Sequence, residues 1–289
     1  MSKSIFPVRI PAMKLSSNIK LLMPGLLMIF LCTNAMAQGD LLISPLRVTF
    51  EGGKKAQEIN LANVGKDTAT YAISIVDIRM KEDGSFEQIT VPDSGQKFAG
   101  PYLRFFPRKV VLAPNEAQVV KIQLIKTTQM EPGEYRSHLY FRAVPEEKPL
   151  GYKPKSKDTS GISISLVPIF GITIPVIVRV GENTADVTLS DLSFTMAVDT
   201  PRLSFSFNRL GNMSVYGDVK VDYVSPGGKS IQVKMAKGVG VYTPNTRRRF
   251  TLDLDDHKIS FNKGKLHVTY TLQTNDKSKK QVEAELELK

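Results

Sequence analysis

Chemistry needs residues of the right type held close together, and the reactive side chains of this 289-residue chain are few and scattered. It has three histidines, His138, His257 and His267, and a single cysteine, Cys32. No G-x-S-x-G turn, H-E-x-x-H pair, P-loop or G-x-G-x-x-G run occurs, so the usual nucleophile elbow, zinc helix and phosphate cradles have no counterpart. Asp253, Asp255, Asp256 and His257 form one acidic cluster. It lacks the glycine-bearing loop and distal glutamate of a calcium site, and reads as a solvated strand end. The expectation is a protein that is not an enzyme, with no metal and no cofactor.

Arg47 is the side chain with the clearest chemical use. It sits in Ser44–Phe50, SPLRVTF, with apolar neighbours Leu46, Val48 and Phe50. Facing a cleft between domains, its planar guanidinium would grip a carboxylate through two parallel hydrogen bonds. The plainer alternative is a surface arginine whose stem lies along the sheet.

The element that would position such a residue is the run 161–179, GISISLVPIFGITIPVIVR. Ile162, Ile164, Leu166, Phe170, Ile172 and Ile174 recur at every second position, interrupted by Pro168. Period two marks an extended strand with one continuous apolar face. Pro168 and Pro175 lack a backbone N–H, so the strand belongs at a sheet edge. Proteins normally shorten, charge or cover such an edge. A long uncharged one is suited to capturing another strand. The segment before it, Glu146–Ser160, is rich in Lys, Pro and Ser and reads as a mobile loop.

The N-terminus reads as an export signal. Lys3, Arg9, Lys14 and Lys20 precede the apolar stretch Leu21–Leu31, and Ala35-Met36-Ala37 offers small residues for cleavage after Ala37. Translation from Met1 or from Met13 leaves a complete leader either way. Cys32 lies inside it, so the mature chain has no thiol chemistry. The formal charge of +11 includes the four leader positives. The densest basic runs, Arg247-Arg248-Arg249 and Lys277-Ser278-Lys279-Lys280, read as solvated strand ends and tips. They lack the interleaved aromatics of a nucleic-acid surface, so no nucleic-acid partner is expected, nor membrane insertion after cleavage.

The remainder reads as strands separated by turn formers. Leu42–Phe50, Ala56–Asn63, Tyr71–Met80, Ala117–Leu124 and Tyr135–Val144 precede the long run. Leu203–Phe207, Tyr216–Tyr223, Ile231–Lys234, Val239–Tyr242, Phe250–Leu254, Leu266–Gln273 and Val282–Leu288 follow it. This predicts an all-β chain: a leader over 1–37, an antiparallel sandwich over 38–181 and a second over 182–289.

At this point the residues resemble a family. SPLRVTFEG at 44–52, Asn63, FPRKVVLAPNEAQ at 106–118, GEYRSHLYFRAVP at 133–145 and the long strand ending at Arg179 are similar to the N-terminal domain of the periplasmic pilus-assembly chaperones, the PapD-like family. The resemblance implies two immunoglobulin-like sandwiches in an L or boomerang arrangement, in the periplasm of a Gram-negative cell. It implies a chaperone that completes the sheet of a fimbrial subunit by donor-strand complementation through Ile162, Ile164, Leu166, Phe170, Ile172 and Ile174. Partners would be pilin subunits and an outer-membrane usher; separately, the physics of a free edge leaves a self-dimer open. The family anchors the subunit's terminal carboxylate with an arginine on the first strand and a lysine on the donor strand. Arg47 matches the arginine, but the lysine position is Pro175 and no lysine lies in 161–179. The alternative is an exported structural or adhesive surface protein with no client.

Overall fold

The computed structural model describes residues 41–145, 169–197, 200–255, 259–273 and 280–289. The expected leader with Cys32, the segment Glu146–Ser160, the expected donor positions Ile162, Ile164 and Leu166, the Asp256-His257 pair and the run 277–279 lie outside them. Apart from two single 3-10 turns, the regular structure is strand.

The first sandwich places one sheet of β1 (Leu41–Ser44), β3 (Ala56–Asn63), β8 (Ala117–Leu124) and β6 (Leu103–Phe106), in that order, against a second. The second runs β2 (Val48–Phe50), β10 (Gly171–Val180), β9 (Gly133–Val144) and β4 (Ala69–Met80), with β5 (Phe86–Ile89) and β7 (Lys109–Leu112) each pairing β4. This is the strand order of an immunoglobulin domain whose first strand is shared between sheets. Tyr135 supports it. Near the start of β9, its hydroxyl donates to the Glu131 carbonyl at 3.1 Å and accepts from the Glu131 N–H at 2.9 Å, the tyrosine corner of such domains. The expected single strand Leu42–Phe50 is thus two strands in different sheets, separated by the cis Ser44–Pro45 bond. The core closes on Phe50, Ile59, Leu61, Ile122, Leu139 and Phe141, all essentially sealed from solvent. Each stabilises the fold by about 1.5–3 kcal/mol before ordering costs.

The second sandwich pairs β11 (Ala185–Ala197), β12 (Thr200–Gly211) and β15 (Arg247–Asp253) in one sheet. The facing sheet runs β14 (Ser230–Val241), β13 (Val215–Val224), β16 (Gly264–Leu272) and β17 (Gln281–Leu288). Its core is separate and aromatic. Phe207 meets Tyr270 edge-on at 4.9 Å, and the buried Tyr270 hydroxyl donates to the Val239 carbonyl at 2.9 Å, as a buried phenol requires. The runs Ile231–Lys234 and Val239–Tyr242, expected as two strands, belong to one strand, β14, whose register against β13 shifts twice. The shifts are bulges, which break the alternation a sequence reader depends on.

Both sandwiches lie within one compact unit, Asp40–Lys289. The β4–β5 hairpin reaches the second sandwich. The Glu82 carbonyl accepts from the Arg249 N–H at 2.7 Å, and Asn245 Nδ2 donates to the Met80 carbonyl at 2.7 Å. Arg248, expected as a solvated strand end, is instead folded in beneath that hairpin. Its Nε is buried, and burial lowers its pKa.

Candidate functional site: an open strand edge and the arginine cleft at its end

β10 lies between β9 and β2, but β2 covers little of it. Pairing with β9 is continuous from Gly171 to Val180, while parallel pairing with β2 spans only Val176–Val178. Over Gly171–Pro175 the side away from β9 carries no strand among the described residues. The ladder to β9 even continues upstream, since the Ala143 N–H donates to the Phe170 carbonyl at 2.9 Å. Pro175, which has no N–H to give, stands just before β2 joins. β10 is therefore an edge in its first half and an interior strand in its second.

The even-numbered row on β10 changes environment along its length. Val178, Val176 and Ile174 are buried in the first sandwich's own core, Ile174 at 2% exposure. Ile172 packs partly against that core. Phe170, the next member, is 41% exposed, and its neighbour Ile169 is 51% exposed. Ile174 is thus not available to a partner, contrary to the expectation from alternation. The same period that makes a donor face also makes a core face, and the facing sheet decides where one becomes the other. Gly171 has its own reason: a Cβ there would overlap the Tyr140 ring lying across it.

Arg47 occupies a cleft of about 630 Å³ between the sandwiches, with Thr49, Arg136, Arg179, Ser214, Tyr216 and Tyr242 on its walls. Its guanidinium carbon sits 3.2 Å from the centre of the Tyr216 ring, a cation–π stack. Burial lowers its pKa, with Arg136 and Arg179 adding to the effect, and its Nε is buried without a partner. The plain surface-arginine reading is therefore replaced by a cleft arginine.

The residues under Arg47 were not singled out from sequence. Arg136, on β9, stacks on Tyr242 at 3.8 Å and donates from Nη2 to Glu134 Oε1 at 2.9 Å and Ser214 Oγ at 2.6 Å. Its side chain is 6% exposed, and Nε and Nη1 are buried without partners. Glu134 Oε2 accepts from the Ser214 N–H and hydroxyl and from Arg179 Nε. Burial alone would raise the Glu134 pKa, but Arg136, Ser214 and Arg179 together hold it below the usual carboxylate value. Arg179 Nη1 also meets Glu51 Oε2 at 3.0 Å. His138, paired with Pro175 across β9 and β10, is pushed down to about 3 by burial and by Arg136, so it is neutral at pH 7. Arg136 and Arg179 are matched by Glu134 and Glu51, while Arg47 lies on the Tyr216 ring. The readable signal was Glu134, Arg136 and His138 at period two on a single strand.

Arg209 fixes the far wall. Buried in the second sandwich, it donates to the carbonyls of Gly211, Met213, Pro244 and Asn245 at 2.8–3.3 Å. That joins the loop carrying Ser214 to the loop following Tyr242.

No family model and no curated protein matches the chain. Among solved structures it is similar to the Pseudomonas aeruginosa CupB2 chaperone, at 12% identity over 84% of this chain and 98% of that one, TM-score 0.41. It is also similar to a chain of the CsuC–CsuE chaperone–tip adhesion subunit pre-assembly complex from archaic chaperone-usher Csu pili of Acinetobacter baumannii. There the identity is 12% over 85% and 98% of the two chains, with a TM-score of 0.44. A chain of the Salmonella enterica SafA pilin–SafB chaperone complex is 13% identical over 87% and 99%, TM-score 0.42.

Proposed function

We infer that this chain is an exported, non-enzymatic chaperone that captures fibre subunits by adding the run leading into β10 to an incomplete subunit sheet, and delivers them to an outer-membrane usher. The observation that carries this reading is the row Phe170–Val178, which leaves its own core at Phe170 on an edge that no described strand covers. The donors are then Ile162, Ile164, Leu166 and Phe170, with Ile172 at the boundary. Main-chain hydrogen bonds along the open edge would supply affinity, and alternate side chains filling the subunit's sockets would supply selectivity. The expected leader, with its cleavage signal after Ala37, supports work in the periplasm. Arg47, at the end of the open edge, would hold the subunit's terminal carboxylate.

The test is a pull-down of tagged mature protein from the periplasm, followed by mass spectrometry, beside the Phe170→Asp variant. One small β-rich exported protein recovered with the native chain and lost with the variant supports capture. Recovery of the native chain alone, or of an unchanged partner with the variant, overturns it.

A further inference from the structure

We propose that the β4–β5 hairpin is a latch that holds the two sandwiches in one relative position, with the run Arg247-Arg248-Arg249 as its keeper. The hairpin belongs to the first sandwich by chain and to the second by contact. Its tip is a tight turn: the Lys81 N–H donates to the Ser85 carbonyl at 2.8 Å, and the Gly84 N–H to the Lys81 carbonyl at 2.9 Å. The Glu82 carbonyl points out of that turn and accepts from the Arg249 N–H at 2.7 Å. β15 pairs with β12 on its other side, so the tip covers part of a strand edge that would otherwise be free. Alongside, Asn245 Nδ2 reaches the Met80 carbonyl at 2.7 Å.

Successive side chains of a strand point to opposite faces, and the three arginines divide accordingly. Arg247 and Arg249 both approach the Glu82 carboxylate, with Nε at 3.7 and 3.0 Å. These pairs stand in solvent, so water screens them and they contribute little. Arg248 is the stronger element. It is turned under the hairpin, where its Nη1 donates to the Gly240 carbonyl and its Nε is buried. A Cβ on Gly84 would overlap its guanidinium, and Gly84 also sits at φ 82°, a conformation that suits glycine. The tip therefore seats on Arg248 only as glycine. Phe86, on the returning strand, meets the Tyr242 ring at 5.6 Å, and Arg136 lies on that same ring. The latch and the arginine cleft thus share one wall. β5 forms the edge of its sheet opposite to β2 and β10, so the latch is independent of whether β10 captures a client.

The expected mature chain carries no cysteine, so spin labels can be placed cleanly. Lys66→Cys and Lys229→Cys put one label on each sandwich, both at exposed positions. Pulsed dipolar spectroscopy on the full mature chain then reads their separation. The latch predicts a single narrow distance distribution. It should broaden with Gly84→Val, which collides with Arg248, and with Arg248→Ala, which empties the seat without straining the turn. Amide exchange gives the local readout. The Arg249 N–H should be protected in the native chain and exchange about tenfold faster in each variant, as expected for loss of one hydrogen-bonded contact. Amides of β8 and β16, inside the two sandwiches, should keep their protection, showing that both remain folded. If Gly84→Val lowers that protection, Arg248→Ala decides alone. A distribution already broad in the native chain, one that neither variant broadens, or an Arg249 amide that exchanges freely before any substitution overturns the latch.

Discussion

The two sandwiches treat their sheet edges differently. In the second, each edge strand is blunted. β15 begins with Arg247-Arg248-Arg249 and is met by the Glu82 hairpin. β17 presents Glu283, Glu285 and Glu287, and β14 carries Lys234 and Lys237 along with its bulges. β11 breaks its register between Ser190 and Ser193, with Asp191 at φ 56°. Charges and bulges of this kind keep edges from pairing with other chains. The open half of β10 has neither: Ile169–Pro175, IFGITIP, holds no charge, and its pairing with β9 shows no register shift. The four edges of the second sandwich are thus guarded, whereas the open half of β10 carries neither charge nor bulge.

The contrast can be broken from either side. The largest effect is expected on capture. Phe170→Asp charges the open edge as the second sandwich charges its own, and should abolish co-purification of a client. It should change stability by no more than about 0.5 kcal/mol in chemical denaturation, as for an ordinary surface substitution. Ile174→Ala, four residues along the same row, should do the reverse. It opens a cavity in the first core and should cost about 2–5 kcal/mol by denaturant titration.

A third effect lies in the cleft. His138 is neutral down to about pH 3 in the folded chain, against 6.5 when unfolded. Between those values the unfolded state binds more protons, so stability falls as pH drops through that window. The contribution approaches about 1.4 kcal/mol per pH unit. His138→Gln should therefore flatten the acid limb of stability against pH between 6.5 and 3, measured by denaturation at a series of pH values. The smallest effect should come from unguarding the second sandwich. Threonine at Glu283, Glu285 and Glu287 together should leave the fold unchanged and produce weak self-association by light scattering. If it does not, charge is not what guards that edge.

Much of this was legible in the residues. Strands Ala56–Asn63 and Ala117–Leu124 run between the expected bounds, because alternating β-branched residues between turn formers form a local signal. The prolines of the long run also pointed to an edge, and the open half of β10 is one. Ile172 and Ile174 were harder. Alternation cannot distinguish a row that faces its own core from one that awaits another, since both have period two. The division of the first strand between sheets was likewise hidden, because Leu41–Phe50 is apolar on both sides of Pro45.

By itself, then, the sequence determined an all-β chain, the uncharged run leading into β10, and an arginine of the right kind at position 47. Each is fixed by residue type and near-neighbour spacing. Tertiary structure alone decided that Phe170 is where the row leaves its core, because that depends on how far the facing sheet extends. It alone also brought Arg136 into the cleft with Arg47. The two lie 89 positions apart on strands separated by β10, and tyrosines of another sandwich orient them. No local pattern encodes such a meeting. It follows from non-local pairing, in which β9, β10 and β2 take their register from the whole core.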